Sequence, residues 1–342
     1  MDIIRRNFFR LLRAGIFESE EQIEAMSAWK WRQLYALSER LCLTTLVYDG
    51  IEQCSSQFFM QMPGDLLLRC GEEAERSRQR WQESSTHLAE LMATLGNLQL
   101  RPVLLEPWTT ATLYSRPEHH AIGTSCIFFP FETQGRKADE WAQANGTGCD
   151  DSHRHLLRYQ WKSLKVEHRH RLLQLNNRLT GGTLQSIVEQ ERLEGGNAHV
   201  VIGGQRMETV SPTLAMLVAL LNIVRTSLDE GLPLWQITDL GILLRRQGDR
   251  VDFVKLQGWI ERLRFTRMAQ IVATVLTCLL GFSPDEVPFV QASKIGNDAD
   301  GVADDLLRNK TRGNARYLRY NPGEGIASVV ASITHKLGNV KE

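Results

Sequence analysis

Four short apolar runs in the middle of the chain limit its possible folds more than any other feature. Residues 101–105 (RPVLL), 126–129 (CIFF), 155–161 (HLLRYQW) and 164–173 (LKVEHRHRLL) are bounded by polar residues or proline. Runs of that length read as strands of a covered sheet rather than as helices. Between them, residues 137–144 read as a helix. Residues 183–193 read as another, with Leu184, Ile187 and Val188 on one side. Residues 199–210 predict a hairpin that turns at Gly203-Gly204, a two-residue turn signal. The middle of the chain therefore mixes strands with helices.

On either side the apolar residues recur at helical spacing. Residues 1–17 predict an amphipathic helix in which Arg5, Arg6, Arg10 and Arg13 interrupt the apolar residues, unlike a signal peptide. Residues 20–47 place Ile23, Met26, Trp31, Leu34, Tyr35 and Leu41 on one helical face, with Asp49-Gly50 as the stop. A second long helix is expected over 65–95. Ser211-Pro212 offers a hydroxyl cap and a first-turn proline, and the chain reads as helical again from there. Helices are expected over 214–228, 235–246, 252–264 and 266–280. Another is expected to open at Ser283-Pro284-Asp285-Glu286. A polar loop (293–301), a basic stretch (307–320) and a last helix (326–336) follow. The fold class expected is α+β: a small mixed sheet over 96–210, flanked by an N-terminal helical region (1–95) and a C-terminal helical domain (211–342).

Composition removes several functional classes. The 342 residues carry 40 Lys+Arg against 40 Asp+Glu. A dedicated nucleic-acid binder ordinarily carries a basic excess, so nucleic acid is not the expected partner. No apolar run approaches the ~18–20 residues of a membrane span, so no membrane association is expected. Six cysteines are scattered without a CxxC pair, which argues against a disulfide framework and for the cytoplasm. Walker A, GxSxG and HExxH motifs are absent.

Residues 31–51 (WRQLYALSERLCLTTLVYDGI), 101–129, 165–172, 231–289 and 304–314, the last ending in Gly313-Asn314, occur in an informative order. That order resembles a bacterial family of uncharacterised nucleotidyltransferases within the polymerase-β-like superfamily. The resemblance implies a small mixed sheet and Mg²⁺-dependent transfer of a nucleotide from an NTP. The family's site carries Lys-Gly after a first strand, an aromatic residue and a proline, an Arg, and Gly-Asp-x-Asp opening a second strand. A third carboxylate lies on a later strand, followed by a histidine. The logic of such a motif is physical. Residues i and i+2 of a strand share a face, so Asp-x-Asp presents two carboxylates together. With a third they hold Mg²⁺, which clamps the phosphates.

This sequence departs from that motif at nearly every cleft position. Glu106-Pro107 stands for Lys-Gly, and His120 stands for the Arg. Gly123-Thr124-Ser125-Cys126 stands for Gly-Asp-x-Asp. Tyr114 and Pro117 keep the aromatic residue and the proline, Glu167 keeps the third carboxylate, and His168 keeps the histidine. Thr124 and Cys126 supply no anionic oxygen, and a thiol suits Mg²⁺ badly. Glu106 would meet a triphosphate with like charge. The expectation is a nucleotidyltransferase fold that has lost its metal-binding carboxylates and acts as a nucleotide- or partner-binding module without a cofactor. The alternative is an active enzyme using Glu167 and Glu106 with Mg²⁺ and NTP on a small molecule or protein.

Other constellations are ordinary by comparison. His153-x-His155 and His168-x-His170, with Cys149 or Cys126, include Zn²⁺-type donors, but surface or hydrogen-bonded histidines are expected and no metal site is assigned. His119-His120 is expected in a solvated loop. Asp239 is expected at a helix start, as a cap or a buried acceptor. Asp298-x-Asp300-Gly301 fails the EF-hand pattern. Lys310, Arg312 and Arg316, with Arg319, Tyr317 and Tyr320 interleaved, form a candidate anion-binding cluster, diluted by Asp304 and Asp305.

Overall fold

The computed structural model describes residues 1–307 except 153–154, 174–177, 195 and 231. The basic cluster at Lys310, Arg312 and Arg316, His153 and the helix expected over 326–336 lie outside the described residues. In chain order the elements are α1 (Ile3–Phe17), α2 (Ala28–Arg40), α3 (Thr44–Gln53), α4 (Gly64–Asn97), β1 (Val103–Leu104), α5 (Trp108–Ala111), β2 (Ser125–Phe128), α6 (Glu132–Asn145), β3 (Thr147–Asp150) and β4 (Leu156–Trp161). They continue with β5 (Leu164–Arg169), α7 (Arg178–Glu194), β6 (Ala198–Ile202), β7 (Gln205–Thr209), α8 (Pro212–Glu230), α9 (Leu234–Gln247), α10 (Phe253–Arg262), α11 (Thr266–Leu279) and α12 (Ala299–Leu307). The chain divides into two units. One holds Met1–Ala74 and the helices beyond Met216; the other holds Glu75–Leu175 and Gly181–Ala215.

The helical unit is built on the crossing of α1 and α3. Asp2 caps α1 by accepting from the Arg5 amide at 3.0 Å. Gly15 and Gly50 meet at the crossing: a Cβ on Gly50 would stand 1.9 Å from the Leu11 carbonyl oxygen, and one on Gly15 would stand 2.0 Å from that of Leu46. Asp49-Gly50 therefore does not stop a helix, as the sequence had suggested; it is the contact point inside α3. The single helix expected over 20–47 is instead α2 and α3, broken at Cys42, which has a φ of 58°. The arginines of α1 hold the chain around it. Arg6 and Arg10 both bond Glu24, at 2.8 and 2.7 Å, and hold its carboxyl down at about 2. Arg13 pairs with Glu21 at 2.6 Å, and Arg5 pairs with Asp304.

Two further expectations change in this unit, and a third is narrowed. Ser283-Pro284-Asp285-Glu286 opens only the short turn Pro284–Glu286, although the Glu286 side chain does accept from the Ser283 amide at 2.8 Å. The polar loop at 293–301 ends in α12, where Asp298 accepts from the Gly301 amide at 2.9 Å. Asp239 is not at the start of α9, whose N-cap is Pro233, but buried inside the helix, in keeping with the second of its two expected roles.

The second unit carries a seven-stranded mixed sheet in the order β3-β4-β5-β2-β1-β7-β6. The expected hairpin is β6–β7, with Gly203 and Gly204 both at positive φ. The strand expected over 164–173 ends at Arg169. β3 had no apolar signature because all four of its residues are exposed at the sheet edge. Helices α4 and α6 pack on one face, where Leu88, Leu91 and Leu95 meet Ala138, Ala142, Leu104, Ile127, Phe129, Tyr159 and Val166. Pairing sets which residues share the other face. β2 runs parallel to β5 with Cys126 opposite Glu167 and Phe128 opposite Arg169, while β4 runs antiparallel with Arg158 opposite Glu167. Side chains of paired residues lie on one face. Cys126, Glu167, Arg169 and Arg158 therefore share the face turned away from α4 and α6.

Candidate functional site

Glu167 is the centre of this face. The residue is 5 % exposed, and each carboxylate oxygen has its own guanidinium. Oε1 accepts from Arg169 Nε at 2.6 Å, and Oε2 accepts from Arg158 Nε at 2.8 Å. Burial alone would push this carboxyl up. Arg169 and Arg158 outweigh burial and hold it below the ordinary range. Arg169 is itself buried, and its Nη1 also donates to the Leu172 carbonyl at 3.4 Å. Burial disfavours its charge, but the acids around it, Glu167 and Glu106, help raise its pKa overall.

The residues matching the family motif fall into two groups. Cys126 lies directly beside Glu167, with its Sγ 3.9 Å from Oε1. Thr124 precedes β2, half-buried, and its carbonyl accepts from the Cys126 thiol at 3.7 Å. Glu106, half-buried, follows β1 where the Leu105 amide donates to the Cys126 carbonyl, and its charge reaches Arg169. Gly123 is exposed, and a Cβ there would meet nothing within 4 Å. Ser125, between the two motif positions, faces the core and accepts from Trp108 Nε1 at 2.8 Å.

His120 and His168 belong elsewhere. His119 and His120 are buried, not solvated as expected, and the His120 ring lies 5.0 Å from that of Tyr114. His168 follows Glu167 on β5 and so points to the opposite face, where it is fully buried. Its Nε2 pairs with the Tyr159 hydroxyl at 2.8 Å and its Nδ1 with Asp139 Oδ1 at 3.1 Å. His170 Nε2 lies 2.7 Å from Asp139 Oδ2. Asp139, on α6, thus bridges two histidines of one strand edge. Sequence spacing put His168 and His170 on one side but gave no sign of Asp139, which sits in an unremarkable helical stretch. Burial lowers the His168 pKa, whereas Asp139 raises that of His170.

The group implied by the resemblance, a divalent cation, does not fit this face. Mg²⁺ needs several anionic or neutral oxygens. Here the two motif positions before Glu167 are a hydroxyl and a thiol, and both Glu167 oxygens already accept from guanidinium groups. Among the described residues, no group of three or more His, Cys, Asp and Glu side chains is placed to hold a metal ion.

The helices and the seven-stranded mixed sheet are consistent with the α+β fold expected of a nucleotidyltransferase-like protein. The sequence profile of a family described as uncharacterised nucleotidyltransferase matches residues 27–281, and the chain belongs to that family. No curated protein and no solved structure matches the chain. No described helix is long and apolar enough to cross a membrane.

Proposed function

We propose that this chain keeps the nucleotidyltransferase fold as a binding module for a nucleotide or a partner protein and does not transfer nucleotides. The observation that carries this reading is the Arg158–Glu167–Arg169 ion pair. It spends the one carboxylate left in the motif on internal charge balance. A metal would have to displace two guanidinium groups and then find its remaining ligands in Thr124 and Cys126. All six cysteines are free thiols, which supports a reducing cytoplasmic setting.

The rival reading, an active enzyme using Glu106 and Glu167, has one observation behind it: the charges of both acids reach Arg169. Metal dependence separates the two. Incubation with α-labelled NTPs in Mg²⁺ or Mn²⁺, beside calorimetric titration of the four NTPs, is expected to show no label transfer and no metal-dependent binding. Metal-dependent NTP binding that disappears in Glu167→Ala, or transfer of label to any acceptor, would overturn the reading.

A further inference from the structure

We infer that strand β6 pairs antiparallel with β6 of a second copy of this chain, joining two sheets edge to edge. The inference goes beyond the binding-module reading and does not depend on it.

The β6–β7 hairpin fixes what the free edge of β6 presents. Gly203 and Gly204 form a two-residue turn at φ 57° and 77°, so the flanking residues Ile202 and Gln205 are a hydrogen-bonded pair. Hydrogen-bonded and non-hydrogen-bonded pairs alternate along an antiparallel ladder. Ile202, Val200 and Ala198 therefore spend their backbone groups on β7, and those of His199 and Val201 point outward. β6 ends the sheet, and among the described strands only β7 pairs with it. A row of open donors and acceptors invites another strand unless charge, proline or a bulge protects it. β3, at the opposite edge, is protected: its pairing with β4 is irregular between Thr147 and Asp150, and Asp150 adds an exposed charge. β6, residues 198–202 (AHVVI), has none of these devices, and Val201 is 64 % exposed on it.

This edge complements itself. A two-fold axis through Val200, normal to the sheet, sets His199 against the partner's Val201, and Val201 against the partner's His199. Each of those pairs exchanges both its hydrogen bonds, so the outward N–H and C=O groups are all matched. The side chains agree. On one face Glu208, His199, the partner's Val201 and the partner's Arg206 form a row, so acid and guanidinium stand at opposite ends and like charges nowhere face each other. On the other face Val200, half-buried, meets the partner's Val200 on the axis, with Ala198 beside the partner's Ile202. The strand registers place His199 on the same face of the sheet as Glu167. A two-fold axis normal to the sheet keeps that face on one side. The dimer therefore presents two Glu167 faces together, roughly 40 Å apart along the joined sheet. A binding partner with two matching contacts would gain by engaging both.

The test is sedimentation velocity on the full chain over a range of concentrations. It is run on the wild type, Val201→Pro and Val201→Lys, with circular dichroism to check folding. Proline at 201 removes an outward N–H that β7 does not use, and edge strands tolerate it. Lysine keeps the N–H and adds the charge that guards natural edges. The wild type is expected to dimerise, and each substitution to weaken the dimer at least tenfold. Val200→Cys is expected to form a disulfide across the axis on mild oxidation, because a non-hydrogen-bonded pair brings its Cα atoms to about 4.5 Å. Val201→Cys is not, since residue 201 and its copy are diagonal neighbours about 7–8 Å apart. Peptide mapping separates that bond from bonds at the exposed native thiols, Cys42 and Cys149. Loss of the dimer in both Val201 variants, together with the disulfide at residue 200, supports the inference. A monomer at every concentration up to about 0.1 mM, a dimer indifferent to the Val201 substitutions, or a dimer that yields no disulfide at residue 200 overturns it. None of these outcomes bears on nucleotide transfer, so the binding-module reading stands or falls separately.

Discussion

Cys126 and Glu167 are direct partners across the parallel β2–β5 pair, with Sγ 3.9 Å from Oε1. A thiol thus stands beside the buried acid, at the position that the resemblance aligns with a second carboxylate of the family motif. Two carboxylates that close would repel each other without a cation between them. With Cys126 in place the repulsion is gone, and Arg169 and Arg158 bind Glu167 instead.

Its two guanidinium partners tie Glu167 to the stability of the fold. Glu167→Ala leaves Arg169, whose side chain is only 10 % exposed, as a buried unpaired cation. Removing one partner of a buried pair costs about 3–5 kcal/mol. Chemical denaturation should show a loss of that order for Glu167→Ala, with most of it recovered in Glu167→Leu/Arg169→Met. A single substitution that leaves the denaturation midpoint unchanged would show that the pair carries no such cost.

Much of the sheet was legible in the sequence, and the reasons are physical. β1, β2, β4, β5 and the β6–β7 hairpin bury an apolar side, and burial writes itself into the pattern. β3 buries nothing and left no trace. Gly50 was misread because a glycine that ends a helix and a glycine that admits a neighbouring helix look the same in one dimension. The site was half legible. The motif positions Glu106, Thr124, Cys126 and Glu167 could be placed in order, and pairing brings the last two together. Arg158 could not be found, because its partnership with Glu167 depends on the β4–β5 register. His168, matched to the histidine of the motif, turns away from Glu167 because neighbouring residues of a strand alternate between faces.

The Asp139 bridge should separate its two histidines by pH. His170 is raised above 6.5, chiefly by Asp139, so its stabilisation is complete below 6.5 and lost as pH rises through the raised value. His168 is lowered by burial, so it favours folding fully above 6.5 and costs stability as pH falls below that. NMR titration should find the His170 imidazole changing above 6.5 and His168 below it. In Asp139→Asn the His170 midpoint should fall. Coincident titration of both rings near 6.5 would contradict the bridge.

The α1–α3 crossing gives a sharp contrast between two glycines. Gly50→Ala drives a methyl into the Leu11 carbonyl, so the backbones must separate, at a cost of about 3 kcal/mol, the upper end for overpacking. Gly71→Ala, in α4, finds its nearest atom, the Tyr48 hydroxyl, at 3.6 Å. Alanine there should be neutral or stabilising by up to about 1 kcal/mol through helix propensity. Thermal melts of the two variants measure the difference; equal midpoints would refute the close crossing.

Restoring acids should not restore metal binding while the arginines remain. Thr124→Asp/Cys126→Asp adds carboxylates beside Glu167, yet Arg169 is already within 2.6 Å of Oε1 and would neutralise them at no cost in dehydrating an ion. Replacing Arg158 and Arg169 by alanine in the same background leaves three acids without a cation, and a divalent ion then becomes the remaining way to offset them. Electron paramagnetic resonance of free Mn²⁺ reads this directly. The expected order is no binding in the wild type, little in the double variant, and at least tenfold tighter binding once both arginines are gone. Tight Mn²⁺ binding in the double variant, with Arg158 and Arg169 intact, would show that the ion pair yields to a metal and is no barrier to one at this face.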